Sequence, residues 1–529
     1  MPSRLKNHPA LKGRHAGILI PLFSMRSESD WGIGDFASMC EWLKWLSSTG
    51  TKILQILPIH ENGAGENCPY AALTAFALDP IYIAVEQVPD VIGSAAAQKV
   101  IKHDHAHIGK LRAEKSVLYS EVRDLKMKVL RMGFEDFYRN EYLRETGRAG
   151  EFRDFVKRTS WLFDYASFRA MKDEFKWSSW TTWTHGLREH DRAAILSFRK
   201  THEKTVLFYE YLQWIAAVQW ERVRLSAADC EVWLFGDLPF MVNQESSDVW
   251  ANQDVFNIHA EIGAPPDQFS PDGQKWGLPA YNWETLEKTH FAWWRERVRR
   301  AIEIYDIYRL DHLVGFFRTW IIPRDKTARA GFDIEGDAAQ QSRGERFLKA
   351  VIEESGKAFP IAEDLGVIPK FVRASLTALS VPGYKIPRWE KDEQTNLYRD
   401  PDLFDPISVA VASTHDSETM RDWWDSLHGH ERYLFWLMVS RGEQASPMYD
   451  DRVHEHILGR ILGAGSAIAL FQLQDIIAMK ERVNVPGTVG SHNWTYRTPY
   501  TAAVLNEKFA DKIAVYKRLL KKYGRSLFK

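Results

Sequence analysis

Asp306-Ile307-Tyr308-Arg309-Leu310-Asp311-His312 is a short apolar run that ends abruptly in charge, and its reading decides the fold. Strands buried on both faces of a parallel sheet read this way, apolar along their length and polar where they leave the sheet. Similar runs recur at 17–22, 52–59, 232–240, 359–363, 384–389, 409–415 and 467–472. Between several of them lie amphipathic helical patterns, at 36–48, 293–305 and 344–355. Strand and helix alternating in this order predict an α/β chain, a (β/α)8 TIM barrel. A plain barrel needs about 250 residues. The 529 residues here therefore read as a single elaborated catalytic barrel spanning 1–529, with the excess carried in insertions.

Two connections are too long for plain βα links, and long loops on a rigid scaffold are where specificity is expected. The first, 85–229, reads as a large, mostly helical inserted subdomain. Leu118, Val122, Leu125 and Val129 follow a helical spacing that places them on one face. The second, 243–292, is rich in Pro, Gly, Asp and Trp and reads as a substrate-covering loop over the barrel mouth. After the eighth run only a helical ending is expected, with Phe509, Ile513, Tyr516, Leu519 and Leu520 as its apolar stripe and no C-terminal β-sandwich.

Hydrophobic residues make up 45% of the chain and charged residues 26%, a balance that predicts a packed core. Lys and Arg number 69 against 70 Asp and Glu, so no global field draws the chain to nucleic acid or to an anionic membrane. A neutral partner fits better. The 21 Trp, 19 Tyr and 28 Phe supply both core and flat rings of the kind sugar faces stack on. The first fifteen residues are basic without the apolar stretch of a secretory signal, and no run approaches the length of a membrane span, so a cytoplasmic protein is expected. Cys40, Cys68 and Cys230 fit neither a disulfide framework nor a metal site and read as free thiols.

Asp311, Glu363 in Ala-Glu-Asp-Leu-Gly and Asp416 in Ser-Thr-His-Asp all fall at strand ends. In a barrel such ends face one mouth, where active sites are built. Any single carboxylate among 70 is most often a solvated surface group, but three following apolar runs toward one mouth repel one another unless their chemistry needs them. Retaining glycosyl transfer needs such a set: one ionised carboxylate to attack the anomeric carbon and one protonated carboxyl to donate to the leaving oxygen. A third carboxylate can hold ring hydroxyls.

The motifs Gly-Asp-Leu-Pro at 236–239, Ser-Ser-Asp-Val-Trp at 246–250 and Gly-Ala-Pro-Pro-Asp-Gln-Phe-Ser at 263–270 resemble those of the amylomaltase, or disproportionating 4-α-glucanotransferase, family. So do Gly-Gln-Lys-Trp-Gly-Leu-Pro at 273–279, Arg-Leu-Asp-His at 309–312 and Ala-Glu-Asp-Leu-Gly at 362–366, in a likeness running from about residue 17 to 497. This is glycoside hydrolase family 77, of the α-amylase clan. The resemblance implies transfer of α-1,4-glucan segments between maltooligosaccharides. It assigns Asp311 as nucleophile, Glu363 as acid/base and Asp416 as a transition-state carboxylate. It also places Arg309 beside Asp311, favouring the ion, and His312 and His415 on sugar hydroxyls. Tyr70 corresponds to a stacking tyrosine, and Trp276 to a loop tryptophan with Asp267 and Gln274 as polar contacts. Asp237 reads either as a substrate-adjacent acid or as a strand-end hydrogen bonder. Asn493 reads either as a substrate contact or as a turn former.

The chain departs from the family's usual residues at Cys68, Leu278, 387–390 and Ser417, around the donor and acceptor, without losing a carboxylate. A hydrolase of the same clan and a non-catalytic glycan-binding barrel are the competing readings. The Pro-rich loop with Trp276 favours transfer, and the intact acids argue against a binding protein. No cofactor or metal is expected. His103, His105 and His107 precede a polar helical stretch and read as solvated, and Gly32-Ile33-Gly34 lacks the rest of a phosphate loop.

Overall fold

The computed structural model describes residues 2–266, 272–325, 327–443 and 448–528. Its centre is a closed barrel of eight parallel strands: β1 His15–Leu19, β2 Ile53–Gln55, β3 Trp233–Leu238, β4 Ile307–Leu310, β5 Phe359–Ala362, β6 Gly383–Lys385, β7 Ser408–Val411 and β8 Ile468–Gln472. Each strand pairs with its neighbour in sequence, and β8 closes on β1 from His15↔Ile468 to Leu19↔Gln472. Every predicted run overlaps one of these strands, and three of the strands, His15–Leu19, Gly383–Lys385 and Ser408–Val411, begin one or two residues before their runs. The strands are short and nearly all their residues are buried, because helices cover the barrel outside and side chains fill it inside.

Local chemistry sets the covering helices. Phe36–Thr49 starts where the Asp35 carboxylate accepts the Ser38 N–H at 2.9 Å and stops at Gly50, whose φ of 83° ends the helix in the left-handed region. Ala292–Ile304 matches its predicted span to within a residue. Asp337–Glu354 begins seven residues before its predicted start, because its first turns carry Asp, Gln and Arg and show no apolar period. The regular elements between Val85 and Asp229 are helical, chief among them Tyr119–Phe137 and Glu203–Asp229. Val122, Leu125 and Val129 are buried on the first of these. Leu118, however, caps that helix and is exposed, because the helix begins only after it.

The segment 243–292 is not simply a loop. Phe256–Ala264 and Gln274–Tyr281 pair antiparallel, and the sheet is extended by Trp320–Pro323 and Gly331–Phe332 from the connection after β4. The Pro and Gly that suggested irregular chain sit where the sheet tolerates or needs them. A Cβ on Gly263 would lie 1.9 Å from the Gln274 carbonyl oxygen, so only glycine allows the two strands to approach there. At the C-terminal end, Ala510–Lys522 buries Ile513, Tyr516, Leu519 and Leu520, with Phe509 capping it half-buried; no strand follows Gln472 among the described residues. Among the same residues no helix is long and apolar enough to cross a membrane.

The register between β3 and β4 positions the chemistry. Gly236 lies level with Tyr308 and Asp237 level with Arg309. Gly236 has no room for a side chain: a Cβ there would stand 2.3 Å from ring atoms of Tyr305, which is itself fully buried. Gly236→Ala is therefore expected to cost about 1–3 kcal/mol by overpacking. Urea unfolding followed by circular dichroism checks this, and an unchanged midpoint would mean the strand shifts freely.

Candidate active site

At the bottom of the barrel mouth Arg309, almost fully buried on β4, reaches two carboxylates. Its Nη1 donates to Asp237 Oδ2 at 3.1 Å and its Nη2 to Asp311 Oδ1. Burial acts to lower the pKa of the guanidinium, but Asp237, Asp311, Tyr70 and Glu363 outweigh it and hold Arg309 well above its ordinary range. The second oxygen of Asp311 accepts from the Phe240 N–H at 3.3 Å, so both of its oxygens have a donor. Asp237 has no exposed surface, and burial raises its pKa. Its hydrogen-bond partners are Arg309 and Tyr70, an arrangement that fits a strand-end hydrogen bonder beneath the site.

Tyr70 and His415 form a stacked pair, 5.4 Å apart and 14° from parallel. The Tyr70 hydroxyl donates to Asp237 Oδ2 at 2.7 Å and lies 3.0 Å from His415 Nε2. That nitrogen is also 3.1 Å from Asp416 Oδ2. His415 is thus held from both sides, with its ring buried and only the half-exposed Tyr70 and Asp416 turned to the opening.

The carboxylates differ in their surroundings. Burial is the main cause that pushes Glu363 up to about 7; Asp311 adds to it, while Arg309 and the backbone N–H groups of Leu365 and His312 oppose it. Those two amides donate to its oxygens at 3.1 and 2.9 Å. For Asp416 burial also acts to raise the pKa, but the charge and hydrogen bond of His415, the Asn484 amide and Arg309 outweigh it and hold the group at about 2.

The mouth sheet brings Trp276 edge-on to His312 at 4.8 Å, with its Nε1 donating to Gln274 Oε1 at 3.0 Å. His312 directly follows Asp311 and adopts a left-handed conformation (φ 46°, ψ 52°), a strained choice for a side chain of its size and one that clusters at functional sites. Burial lowers its pKa to about 4, so the ring is neutral at neutral pH. Asp267 lies outside the described residues. The Asn493 amide is consumed within its own loop: its Oδ1 accepts from the Val485 N–H, and its Nδ2 donates to Thr488. Such bonds are those of a turn former.

The sequence reading missed Asn484, whose Nδ2 donates to Asp416 Oδ1 at 2.7 Å, and Arg482, which donates to the Asp416 carbonyl at 3.2 Å and pairs with Glu418. Nothing local marks them, since they lie more than sixty residues beyond the acid they serve. Two departures also find a place. Ser417 closes the turn after His415 by bonding the Thr414 backbone, and Arg388 is buried against the rings of Trp389 and Trp423. His103, His105 and His107 stay at the surface, and no group of three or more His, Cys, Asp or Glu fit to hold a metal occurs among the described residues.

A barrel mouth that gathers three carboxylates around a buried arginine, under a roof of aromatic rings, defines an enzyme of carbohydrate chemistry. The chain belongs to glycoside hydrolase family 77, the 4-α-glucanotransferases, whose family model matches residues 20–502. It is 31% identical to the 4-α-glucanotransferase of Chlamydia muridarum over 91% of this chain and 90% of that protein. Identity to the Synechocystis 4-α-glucanotransferase is 30% over 98% and 99%. The same fold is found in the amylomaltase of Streptococcus agalactiae, solved in complex with acarbose, at a TM-score of 0.81 and 24% identity over 97% of this chain and 100% of that one. The Corynebacterium glutamicum amylomaltase also gives 0.81, at 22% identity over 98% and 76%.

A proton donor with a pKa near 7 would set a basic limb: with Glu363 in that role, kcat/KM should fall as the pH rises through about 7, where it ionises. The stability sign is the same. Its folded value lies above the ordinary 4.5, so stability present below pH 4.5 is lost as the pH rises through about 7. Glu363→Gln should remove that loss, as read from urea midpoints against pH. Asn484→Leu removes one of the groups holding Asp416 down, so the acid limb should move to higher pH. An acid limb that stays in place would exclude Asn484 from this role.

Proposed function

We propose that this 4-α-glucanotransferase moves α-1,4-glucan segments from a donor maltooligosaccharide to the 4-hydroxyl of an acceptor glucan or glucose by a retaining double displacement. The observation that supports it best is the split between two carboxyls of one mouth, Glu363 pushed up to about 7 and Asp416 held at about 2. Pairs driven apart in this way divide into a proton carrier and a permanent anion.

In the first step an Asp311 oxygen attacks the anomeric carbon while the glycosidic bond breaks, and Glu363 gives its proton to the departing oxygen. The donor's reducing-end fragment leaves, and the remaining sugar is held as an ester of Asp311 with inverted configuration. In the second step the acceptor hydroxyl attacks that carbon, Glu363 recovers a proton from it, and the ester bond breaks to restore the Asp311 carboxylate and the α linkage. Asp416, anionic throughout, accepts hydrogen bonds from ring hydroxyls as the ring flattens. Arg309 holds the nucleophile in place through both steps.

Hydrolysis would follow the same first step, with water replacing the acceptor. Trp276 over His312, presented by the sheet at the mouth, favours transfer, because a flat ring there offers an acceptor sugar a surface to stack on and displaces water. The three unpaired cysteines fit a cytoplasmic setting.

Incubation with maltotriose should give a ladder of longer and shorter oligomers; maltose and glucose alone would indicate a hydrolase. Asp311→Asn should fold normally and lose activity by more than about 1,000-fold, as nucleophile removal does elsewhere. Substantial residual transfer by the pure variant would take the nucleophile role from Asp311.

A further inference from the structure

Phe240 lies just beyond the end of β3, and both of its backbone polar groups are used. Its N–H donates to Asp311 Oδ2 at 3.3 Å, and its carbonyl accepts the Tyr281 hydroxyl at 2.7 Å. Tyr281 ends the strand Gln274–Tyr281, whose outer part carries Trp276. The phenol is fully enclosed by Phe256, Trp283, Trp293 and Trp294, so it cannot turn to another partner or to water. The Trp294 indole and the Arg297 guanidinium face the phenol oxygen, which leaves its O–H for the Phe240 carbonyl. The Phe240 ring is packed in turn on Phe316 at 4.8 Å and on His312 at 5.4 Å.

Arg309 fixes one oxygen of Asp311; the Phe240 N–H fixes the other, and with it the plane of the carboxylate. We propose that Tyr281 is a positioning residue for the nucleophile: by holding the Phe240 carbonyl it keeps the Phe240 N–H aimed at Asp311. The mouth sheet then serves the reaction at both ends of one strand, with Trp276 facing the acceptor and Tyr281 orienting the attacking group.

This inference rests on Asp311 as nucleophile, and the experiment separates the two claims. In a Glu363→Ala background α-glucosyl fluoride needs no proton, so first-turnover fluoride release reports attack by Asp311. Tyr281→Phe, which removes only the hydroxyl, should slow that release about tenfold, short of the roughly 100-fold cost of a 1 Å misplacement, while donor affinity changes less than about twofold. Among shorter replacements, Tyr281→Gln, which can still donate to the carbonyl, should retain more of the rate than Tyr281→Leu. A purely structural role predicts the reverse order, because leucine suits the aromatic surroundings better. Unchanged release in Tyr281→Phe, or Leu faster than Gln, overturns the inference. Unchanged release in Asp311→Asn overturns the nucleophile assignment beneath it.

Discussion

The pairing of Arg309 with Asp237 and Asp311 is the constraint on which the rest of the site depends. A guanidinium buried to this extent needs hydrogen-bond acceptors in direct contact, here two carboxylates, and removing one member of such a buried charged set typically costs about 3–5 kcal/mol. The barrel register meets that demand: β3 and β4 place Asp237 and Arg309 level, and Asp311 follows two residues later on the same face. Asp237 also binds the Tyr70 hydroxyl, which meets His415, which meets Asp416. A single buried charge thus organises groups from the ends of β3, β4 and β7 and from the connection after β2.

From this centre outward the mouth becomes a gradient of environments. Glu363 is desolvated and favours its neutral form, while Asp416 opens to the cleft under two donors and favours its anion. His312 is held neutral beneath Trp276. Opposite protonation states therefore coexist in one cavity at one pH, as acid/base catalysis beside a permanent anion requires.

The strands of the barrel were legible because a doubly buried strand has no choice but a continuous apolar run, and Asp311, Glu363 and Asp416 stood out because each breaks such a run. The mouth sheet was not. Its strands show a mixed burial pattern interrupted by bulges, and Gly263 and Pro279 read locally as loop although the first pairs with Lys275 and Trp320 and the second with Glu261. Asn484 and Asn493 were likewise beyond local reading. Both lie in one irregular segment of similar composition, and only the tertiary path shows that the first reaches Asp416 while the second ties the loop to itself. Leu118 was misplaced for a simpler reason: spacing alone does not show where a helix begins.

The central claim is that Asp311 forms the covalent bond while Glu363 carries the proton. The most direct measurement is mass spectrometry of proteolytic peptides from the Glu363→Ala variant after reaction with α-glucosyl fluoride, followed by release with azide. The account predicts a glucosyl adduct on the peptide containing Asp311 and an α-linked glucosyl azide on release, since two inversions restore the starting configuration. An adduct on another residue, or a β-linked azide, would contradict it.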